Sequence, residues 1–389
     1  MSAPNLTHDF IITGFGCAGM SLVYYLLNSH QLQNCKILVI DNSKKTFNDR
    51  TWCYWAEKPL AIHPKKAPLV FWEKIEICLG EKRVEKQLGK LKYFHVKSSD
   101  FYSEIKEQVI SFPNVHFVCD SVISINEKDE DIVSVLTSKN GIYFGKKVFN
   151  SIPDKSSAQD ENKILKQVFV GWKIKTTKPR FKADTAVLMN FLQESKEKTD
   201  FFYLLPFSAT EALIEYTVFT TQHLDFQDME IPIQQFISQK IGQESFEITF
   251  KEEGIIPMTT LFLQKAKSPN IIYLGTLAGC SKPSTGYTFQ FIQKHCKSIV
   301  QKLEISNSSK DLIWKRKRRF TFYDNIILNV AKKWPYDLPK IFFNLFESNT
   351  GPEIFKFLNE ETGFLNELKL LSRLKFSIFI KSLLHYEKH

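Results

Sequence analysis

The sequence predicts an α/β fold with two domains and a helical C-terminal region. Two glycine segments, and the strands expected between them, are the basis of this prediction. Residues 14–19 (GFGCAG) lie near the start of the chain, and residues 275–287 (GTLAGCSKPSTGY) lie late in it. Each segment stands between an apolar strand and an apolar helix, which is the local order of a Rossmann-type nucleotide-binding unit. We therefore expect the chain to leave its first domain and to return to it.

The first glycine segment has the flanking elements that a dinucleotide site needs. An apolar strand, an apolar helix and a second apolar strand are expected at 8–13, 18–27 and 36–40. Gly14 allows the tight turn, Gly16 lets the backbone approach a pyrophosphate, and Gly19 lets helix and strand pack closely. The N-terminus of the helix would face the phosphates with its unpaired N–H groups. Asp41 follows the second strand, where a ribose hydroxyl needs an acceptor.

Alternation and apolar periodicity predict the remaining elements. Strands are expected at 69–79, 91–97, 115–119, 121–126, 132–136, 142–150, 168–177, 201–205, 211–220 and 271–274, and helices at 100–111, 231–241 and 285–303. From Leu312 onward the pattern is mostly helical. The predicted domains are a discontinuous dinucleotide-binding domain at 1–60, 110–155 and 265–305, a substrate domain at 61–109 and 156–264, and a helical C-terminal region at 306–389.

Charge and composition narrow the expected partners. Lys and Arg number 52 against 42 Asp and Glu, a net charge of +10, which favours an anionic partner such as lipid or nucleic acid. The basic stretch 315–319 (KRKRR) is not accompanied by a nucleic-acid-binding module, so a solvated helix end or lipid contact is favoured over nucleic acid. No run reaches the roughly 18 apolar residues of a spanning helix, no signal peptide is recognised, and the seven cysteines and the histidines lack disulfide or metal spacing.

Five short segments, in this order, resemble the motifs of lycopene β-cyclases. They are DRTWCYW at 49–55, LPFS at 205–208, LIEYT at 213–217, IPM at 256–258 and PSTGY at 283–287. The resemblance extends from residue 8 to residue 303 and is weaker in the helical tail. It implies a two-domain Rossmann-type FAD-binding flavoprotein fold with a mixed-sheet substrate domain and a helical C-terminal tail. The activity it implies is a non-redox cyclisation of the ψ-ends of lycopene to β-ionone rings.

The resemblance places the proton donor of this reaction at Glu215. An exposed glutamic acid has a pKa of about 4.3 and is ionised at neutral pH, so a donor needs a raised pKa, which burial and a neighbouring anion supply. Many relatives carry a second acid at the next position, where this chain has Tyr216. Glu215 would therefore act with the flavin alone or with an acid elsewhere, and the final base is not assigned. From the strand pattern alone, Glu215 would be an outward residue.

The resemblance also implies FAD as the cofactor, active in its reduced form, with NADPH as the reductant. We expect the late helix to begin at Ser284, Thr285 and Gly286 and to point its positive end at the reduced flavin. The flavin would then stabilise a carbocation electrostatically. The expected cofactor-binding residues are Gly14, Gly16, Cys17, Ala18, Gly19, Asp41, Arg50, Gly275, Thr276, Ser284, Thr285, Gly286 and Tyr287.

Lycopene and related acyclic carotenoids are the expected substrates. Because they dissolve only in lipid, we expect peripheral binding to the cytoplasmic side of the cell membrane, with no nucleic-acid partner. Residues 364–384 mix apolar and basic side chains, as does a helix that lies on a bilayer, although the same segment could pack on the domain. Two alternatives remain: an FAD-dependent reductase or monooxygenase acting on another isoprenoid lipid, and a non-enzymatic basic scaffold.

Overall fold

The computed structural model describes residues 7–129, 131–153, 164–192, 198–242, 244–261, 268–305, 312–374 and 376–389. The strands are β1 (Thr7–Thr13), β2 (Ile37–Asp41), β3 (Thr51–Ala56), β4 (Val70–Trp72), β5 (Lys74–Leu79), β6 (Lys82–Gln87), β7 (Lys92–Lys97), β8 (Val115–Cys119), β9 (Val122–Asp129), β10 (Ile132–Thr137), β11 (Ile142–Asn150), β12 (Leu165–Thr176), β13 (Thr185–Phe191), β14 (Thr199–Pro206), β15 (Glu211–Thr220), β16 (Phe246–Met258) and β17 (Ile271–Tyr273). The helices are α1 (Cys17–Leu27), α2 (Ser98–Ile110), α3 (Phe226–Ile241), α4 (Phe289–Ile305), α5 (Arg318–Lys333), α6 (Leu338–Ser348), α7 (Gly351–Leu358), α8 (Phe364–Ser372) and α9 (Phe376–Leu384).

The first sheet has the strand order β8-β2-β1-β11-β10-β9, and β17 also pairs with β11. Strands β8, β2, β1, β11 and β17 are parallel, whereas β9 and β10 form an antiparallel extension. The chain therefore returns to this sheet with β17 after building the second one. Helices α1 and α4 pack together, and Gln293 Nε2 donates to Ser21 Oγ at 2.9 Å between them. This return brings the late glycine segment beside the first.

The second sheet has the order β16-β12-β15-β14-β13-β5-β6. It is mixed, because β13 and β5 are parallel and the other pairs are antiparallel. Successive side chains of β15 point to opposite faces of this sheet, and both faces are buried. Ile214 and Val218 pack beneath α3, whereas Leu213 and Phe219 share a core with the C-terminal helices. A third, three-stranded sheet has the order β3-β7-β4, and its strands flank β5 and β6 of the second sheet in the sequence.

A buried network of ion pairs holds the C-terminal helices to the late glycine segment. Lys282 Nζ lies 3.1 Å from Asp324 Oδ1 on α5 and 3.2 Å from Glu360 Oε1. Arg316 Nη2 lies 2.6 Å from Asp324 Oδ2 and also contacts Glu360. Burial lowers the pKa of Lys282 to about 8. Burial opposes ionisation of Asp324 as well, yet the charges of Lys282 and Arg316 keep the pKa of Asp324 below its ordinary value.

The basic stretch 315–319 is only partly exposed. Arg316 belongs to the buried network, and Arg319 Nε lies 2.7 Å from Glu367 Oε2 on α8. Lys315, Lys317 and Arg318 are exposed. Internal ion pairing thus accounts for two members of the stretch, and lipid contact stays an expectation for the exposed three.

Most predicted helices and strands agree with the structure. The main differences are four strands that were not predicted and one helix that begins later than predicted. Strands β3, β6, β13 and β16 were not expected from the sequence. Helix α4 begins at Phe289 rather than at 284–286, because Gly286 has a φ of +73° and turns the chain before the helix. The domain bounds stay a prediction: those at 155/156, 264/265 and 305/306 fall in or beside segments outside the described residues. Helix α2, within the range 61–109, packs in the core of the first sheet.

Candidate active site

The two glycine segments meet at a cavity of about 450 Å³ between the first and second sheets. Ten of the predicted site residues line it: Gly16, Cys17, Ala18, Arg50, Glu215, Gly275, Thr276, Thr285, Gly286 and Tyr287. The other four, Gly14, Gly19, Asp41 and Ser284, are not among the lining residues. The fold therefore brings the predicted proton donor into the same cavity as the predicted cofactor-binding loops.

The first glycine segment forms a tight turn in which Gly16 has free space around its Cβ position. Gly14 has a φ of +86°, and a Cβ there would collide with Ser151 Oγ. A Cβ on Gly19 would collide with the carbonyl oxygen of Gly14, so Gly19 allows the close packing of α1. Gly16 has no heavy atom within 4 Å of its Cβ position, and it caps α1 without a side-chain hydrogen bond. The helix N-terminus thus faces the cavity across open space.

Asp41 and Arg50 stabilise the loops around this turn. Asp41 Oδ2 accepts a hydrogen bond from the backbone N–H of Phe15 at 2.5 Å, and its Oδ1 accepts from that of Ser43 at 2.7 Å. Arg50 Nη1 donates to the carbonyl oxygens of Asp49 at 2.7 Å and Glu253 at 2.9 Å. Asp41 therefore shapes the glycine turn directly, and Arg50 connects the cavity wall to β16.

The late glycine segment is a compact turn with its side chains divided between two environments. A 3-10 turn spans Gly275–Ala278, and a Cβ on Gly275 would lie 3.0 Å from Ala18 Cβ. The hydroxyl of Ser284 donates to Asp324 Oδ1 at 2.6 Å, so it faces the buried ion pairs. Thr285, by contrast, lines the cavity.

The residues around the cavity fit a flavin dinucleotide. Gln167 Oε1 and Thr285 Oγ1 line the cavity, are buried, and have no hydrogen-bond partner among the described residues. Buried polar atoms of this kind are normally satisfied, and a heterocycle with polar edges would supply their partners. The open backbone at Gly16 and the uncapped start of α1 suit a pyrophosphate.

Glu215 lies on the face of the second sheet that meets the cavity. It pairs with Gly171 of β12 on one side and with Tyr203 of β14 on the other. Its side chain is half-buried, and Oε1 accepts a hydrogen bond from Thr217 Oγ1 at 2.9 Å. Glu215 is therefore not the outward residue that strand alternation alone would give.

A second carboxyl group that the sequence did not reveal lies on the same face. Glu252 of β16 also pairs with Gly171, is 5% exposed, and accepts a hydrogen bond from the backbone N–H of Thr51 at 2.7 Å. Its Oε1 has no hydrogen-bond partner among the described residues. Alternation along β16 is the sequence pattern that points to Glu252. Its side chain lies on the same face of the strand as those of the buried or half-buried residues Phe250, Gly254, Ile256 and Met258.

The surroundings of the two carboxyl groups assign the proton to Glu215. Desolvation raises the pKa of Glu215, and the negative charge of Glu252 raises it further. Desolvation also raises the pKa of Glu252, but hydrogen bonds from Thr51 and the charge of Arg50 act in the opposite direction. Because Glu252 is better stabilised as an anion, Glu215 is the protonated member of the pair.

Tyr216 lies on the opposite face of the sheet from Glu215. Its hydroxyl donates to Asp200 Oδ2 at 2.6 Å, and its ring packs against Phe202. A second acid at this position in β15 would point away from the cavity, because successive side chains of a strand alternate. Glu252 therefore provides what Tyr216 does not, a second carboxyl group on the cavity face.

Solved structures of other proteins have the same fold. The structure is similar to that of a geranylgeranyl bacteriochlorophyll reductase-like protein from Thermoplasma acidophilum, with 12% identity, a TM-score of 0.61, and coverage of 97% of this chain and 99% of that chain. It is also similar to pqsL, a probable FAD-dependent monooxygenase from Pseudomonas aeruginosa (10% identity, TM-score 0.57, 92% of this chain and 100% of that one). A variant of the halogenase PltM in complex with FAD matches with 10% identity and a TM-score of 0.55, over 90% of this chain and 78% of that one.

The fold is therefore that of the FAD-binding flavoproteins, and the predicted fold class is confirmed. No curated protein matches the sequence. The family model described as "Lycopene cyclase protein" matches residues 9–384, which is nearly the whole chain. The chain belongs to the lycopene cyclase family, a family of enzymes of carotenoid cyclisation.

Proposed function

We propose that this protein cyclises the ψ-ends of lycopene to β-ionone rings, giving γ-carotene or β-carotene. The observation that carries the proposal is the position of Glu215, a carboxyl group with a raised pKa that faces the cavity between the two glycine segments. General acids work best when their pKa lies near the operating pH. Glu215 meets that requirement, whereas an exposed glutamic acid does not.

Proton transfer from Glu215 starts the proposed reaction. The carboxyl O–H bond breaks, and the proton adds to the terminal double bond of the ψ-end, leaving a tertiary carbocation. The next suitably placed double bond attacks this cation and closes the ring, which moves the positive charge onto the ring. Loss of a ring proton then forms the double bond of the β-ionone ring. The product is an isomer of the substrate, so no net oxidation or reduction occurs.

Glu215, which is a carboxylate once it has donated, would accept the final ring proton. Glu252 lies on the same sheet face, is better stabilised as an anion, and is not among the residues that line the cavity. Its proposed role is to keep the proton on Glu215 between turnovers. The pair would thus hold one proton before the reaction and regain one at its end.

The loops at both glycine segments would hold FAD. Gly16, Cys17 and Ala18 at the start of α1 would bind the pyrophosphate, and Thr276 and Thr285 would face the flavin. The chemistry that FAD supplies in its reduced form is a negative charge that stabilises a nearby carbocation. NADPH is the proposed reductant that brings the cofactor to this form.

Aromatic side chains form much of the remaining cavity wall. Trp52, Tyr93, Tyr203, Tyr287 and Phe289 line it. Their faces attract a cation and exclude water, which would otherwise capture the carbocation as an alcohol. Trp52 stacks on Phe289 with ring centroids 5.8 Å apart, so these two side chains of the wall pack against each other.

Peripheral membrane binding, on the cytoplasmic side, is the proposed route of access to the substrate. Within the described residues, no helix has both the length and the apolar character needed to cross a bilayer. Helices α8 and α9 instead expose large apolar side chains: Phe364, Leu365, Leu368, Ile380, Leu383 and Leu384. Lys369 and Lys381 are exposed on the same two helices, and they would contact anionic headgroups.

An FAD-dependent reductase or monooxygenase acting on another isoprenoid lipid is the second candidate. It is favoured by the structural similarity to a reductase-like protein and to a probable monooxygenase. Such an enzyme would saturate or oxygenate its substrate, and it would consume a reductant in every turnover.

Expression in lycopene-accumulating cells separates the two candidates. We expect γ-carotene or β-carotene with the same molecular mass as lycopene, without oxygen incorporated from labelled O₂. Hydroxylated, epoxidised or saturated products would support the second candidate instead. Unchanged lycopene, from a purified protein that carries flavin and is supplied with reductant, would contradict the proposed cyclisation.

A further inference from the structure

A second cavity, of about 220 Å³, lies among the C-terminal helices. Side chains from α5, α6, α7, α8 and α9 line it, and nearly all of them are apolar. Its inner end reaches the late glycine segment at Ser284 and Thr285. We refer to it as the helical cavity.

Thr285 joins the helical cavity to the active-site cavity. It lines both, and its hydroxyl is buried without a hydrogen-bond partner among the described residues. The two cavities therefore share Thr285 as a wall residue. At the other end, Phe322, Ile380 and Leu383 line the helical cavity and are 39%, 53% and 47% exposed, so it opens toward solvent.

The chemistry of the helical cavity matches an uncharged hydrocarbon. Its charged lining residues, Lys282 and Asp324, form an ion pair at 3.1 Å and are satisfied by each other. A charged headgroup would find no unpaired partner in this wall. Leu345, Phe357 and Leu371, in contrast, offer apolar contact along its length.

We infer that the helical cavity binds the polyene arm of the carotenoid, the part that extends away from the reacting ψ-end. The inference rests on the proposed function. Conjugated double bonds keep the chain extended, so the arm must leave the active-site cavity when the ψ-end lies beside Glu215. The two cavities adjoin at Thr285, and the exposed mouth, on α5 and α9, includes Ile380 and Leu383 of the apolar surface proposed to meet the membrane.

Filling the helical cavity tests this inference. Ile327 on α5 and Leu371 on α8 line it and are half-buried, so Ile327→Trp and Leu371→Trp would occupy its space. Ile110→Trp is the matched control, because Ile110 lies on α2, does not line the cavity and is 78% exposed. Each flavin-loaded protein is assayed with lycopene and with a shortened analogue that keeps one ψ-end and lacks the long arm.

We expect Ile327→Trp and Leu371→Trp to lower kcat/KM for lycopene by about tenfold or more, since an altered apolar pocket discriminates on that scale. The shortened analogue should be cyclised at the rate of the unsubstituted protein, and Ile110→Trp should behave as that protein with both substrates. Equal losses on both substrates, or full activity on lycopene with the cavity filled, would overturn the inference. The two variants lie on different helices, and thermal unfolding of each shows which of them is folded.

Fluorescence of the methyl ester of cis-parinaric acid, an uncharged conjugated tetraene, gives a readout that does not need catalysis. We expect its emission to rise in the presence of the protein, lycopene to displace it, and both tryptophan variants to abolish the rise. If lycopene displaces the probe but no cyclisation occurs, the proposed function fails and the binding site stands. If phospholipid displaces it and lycopene does not, the cavity is a lipid site and the inference fails.

Discussion

Glu215 of β15 and Glu252 of β16 pair with the same residue of the strand between them, Gly171. Because glycine has no side chain, nothing from β12 stands between the two carboxyl groups. A Cβ on Gly171 would lie 3.1 Å from Glu252 Cγ, a contact tighter than normal packing allows. The glycine thus lets Glu252 lean across β12, where its charge raises the pKa of Glu215.

Replacing Glu252 with glutamine should lower the pH at which activity is lost. Glu215 donates only when protonated, so cyclisation falls as the pH rises through the raised pKa of Glu215. Removing the negative charge of Glu252 lowers that pKa, and the alkaline limb of the rate profile should move to lower pH. The measurement is the cyclisation rate against pH under single-turnover conditions.

Glu253→Gln is the control for this profile, because Glu253 is adjacent in sequence but its side chain is exposed. We expect its alkaline limb to coincide with that of the unsubstituted protein. A Glu252→Gln profile with an unmoved limb would mean that Glu252 does not tune the proton donor.

Alanine at Gly14 and alanine at Gly16 should separate folding from cofactor binding. Gly14 has a left-handed backbone and no room for a Cβ, so Gly14→Ala should cost at least about 1–2 kcal/mol of unfolding free energy. Gly16 has an ordinary φ of −86° and open space, so Gly16→Ala should cost less, about 0.5–1 kcal/mol for the poorer N-cap of α1. Its methyl group would project toward the proposed pyrophosphate and weaken flavin binding. Urea unfolding of the flavin-free proteins measures the change in stability, and flavin titration measures the change in FAD affinity. If Gly16→Ala binds FAD normally, the pyrophosphate does not bind at Gly16.

Asparagine at Asp324 should destabilise the protein strongly. The substitution removes one of the two carboxylates, Asp324 and Glu360, that Lys282 and Arg316 share in the buried network, and breaking a buried ion pair costs about 3–5 kcal/mol. Glu361→Gln is the control, since its ion pair with Lys294 is largely exposed and such pairs contribute about 0–1 kcal/mol. Urea unfolding compares the two, and similar losses in both variants would show that the buried network does not anchor the C-terminal helices.

Stability should fall with rising pH because of the same carboxyl pair. The folded protein raises the pKa of Glu215 and Glu252, so the folded state holds their protons more tightly than the unfolded chain does. Their contribution is complete below the ordinary glutamic acid pKa of about 4.3 and is lost as the pH rises through the raised values. The double variant Glu215→Gln, Glu252→Gln should show a shallower decline of the thermal midpoint over this range. Parallel declines would indicate that other groups are responsible.

The sequence predicted the nucleotide-binding part of this structure well, since its signals are local. Strands β8 and β11 of the first sheet have the predicted bounds, as does β15 of the second, and the turn at Gly14 and Gly16 follows from glycine chemistry. The start of α4 was wrong because Ser284 and Thr285 have the composition of a helix cap. In the folded protein, the Ser284 hydroxyl instead donates a hydrogen bond to Asp324, which is distant in the sequence.

The second carboxyl group could not be predicted because its role depends on strand order. Glu252 meets Glu215 only because β12 pairs with both β15 and β16, and no local pattern specifies that neighbourhood. The helical cavity is hidden for the same reason, as five helices contribute to it. Alternation along β16 would have indicated that Glu252 points into the protein, but it does not identify Glu215 as the group that Glu252 approaches.

Cyclisation in D₂O by the Glu215→Gln variant tests the central assignment most directly. With reduced flavin bound, the unsubstituted protein should add a single deuterium from solvent for each ring that it forms, which mass spectrometry of the carotenoid detects. Glu215→Gln, with flavin still bound, should lose ring formation and label together by at least about a hundredfold, while Glu253→Gln retains both. Labelled rings formed by Glu215→Gln at the normal rate would contradict the assignment of Glu215 as the proton donor.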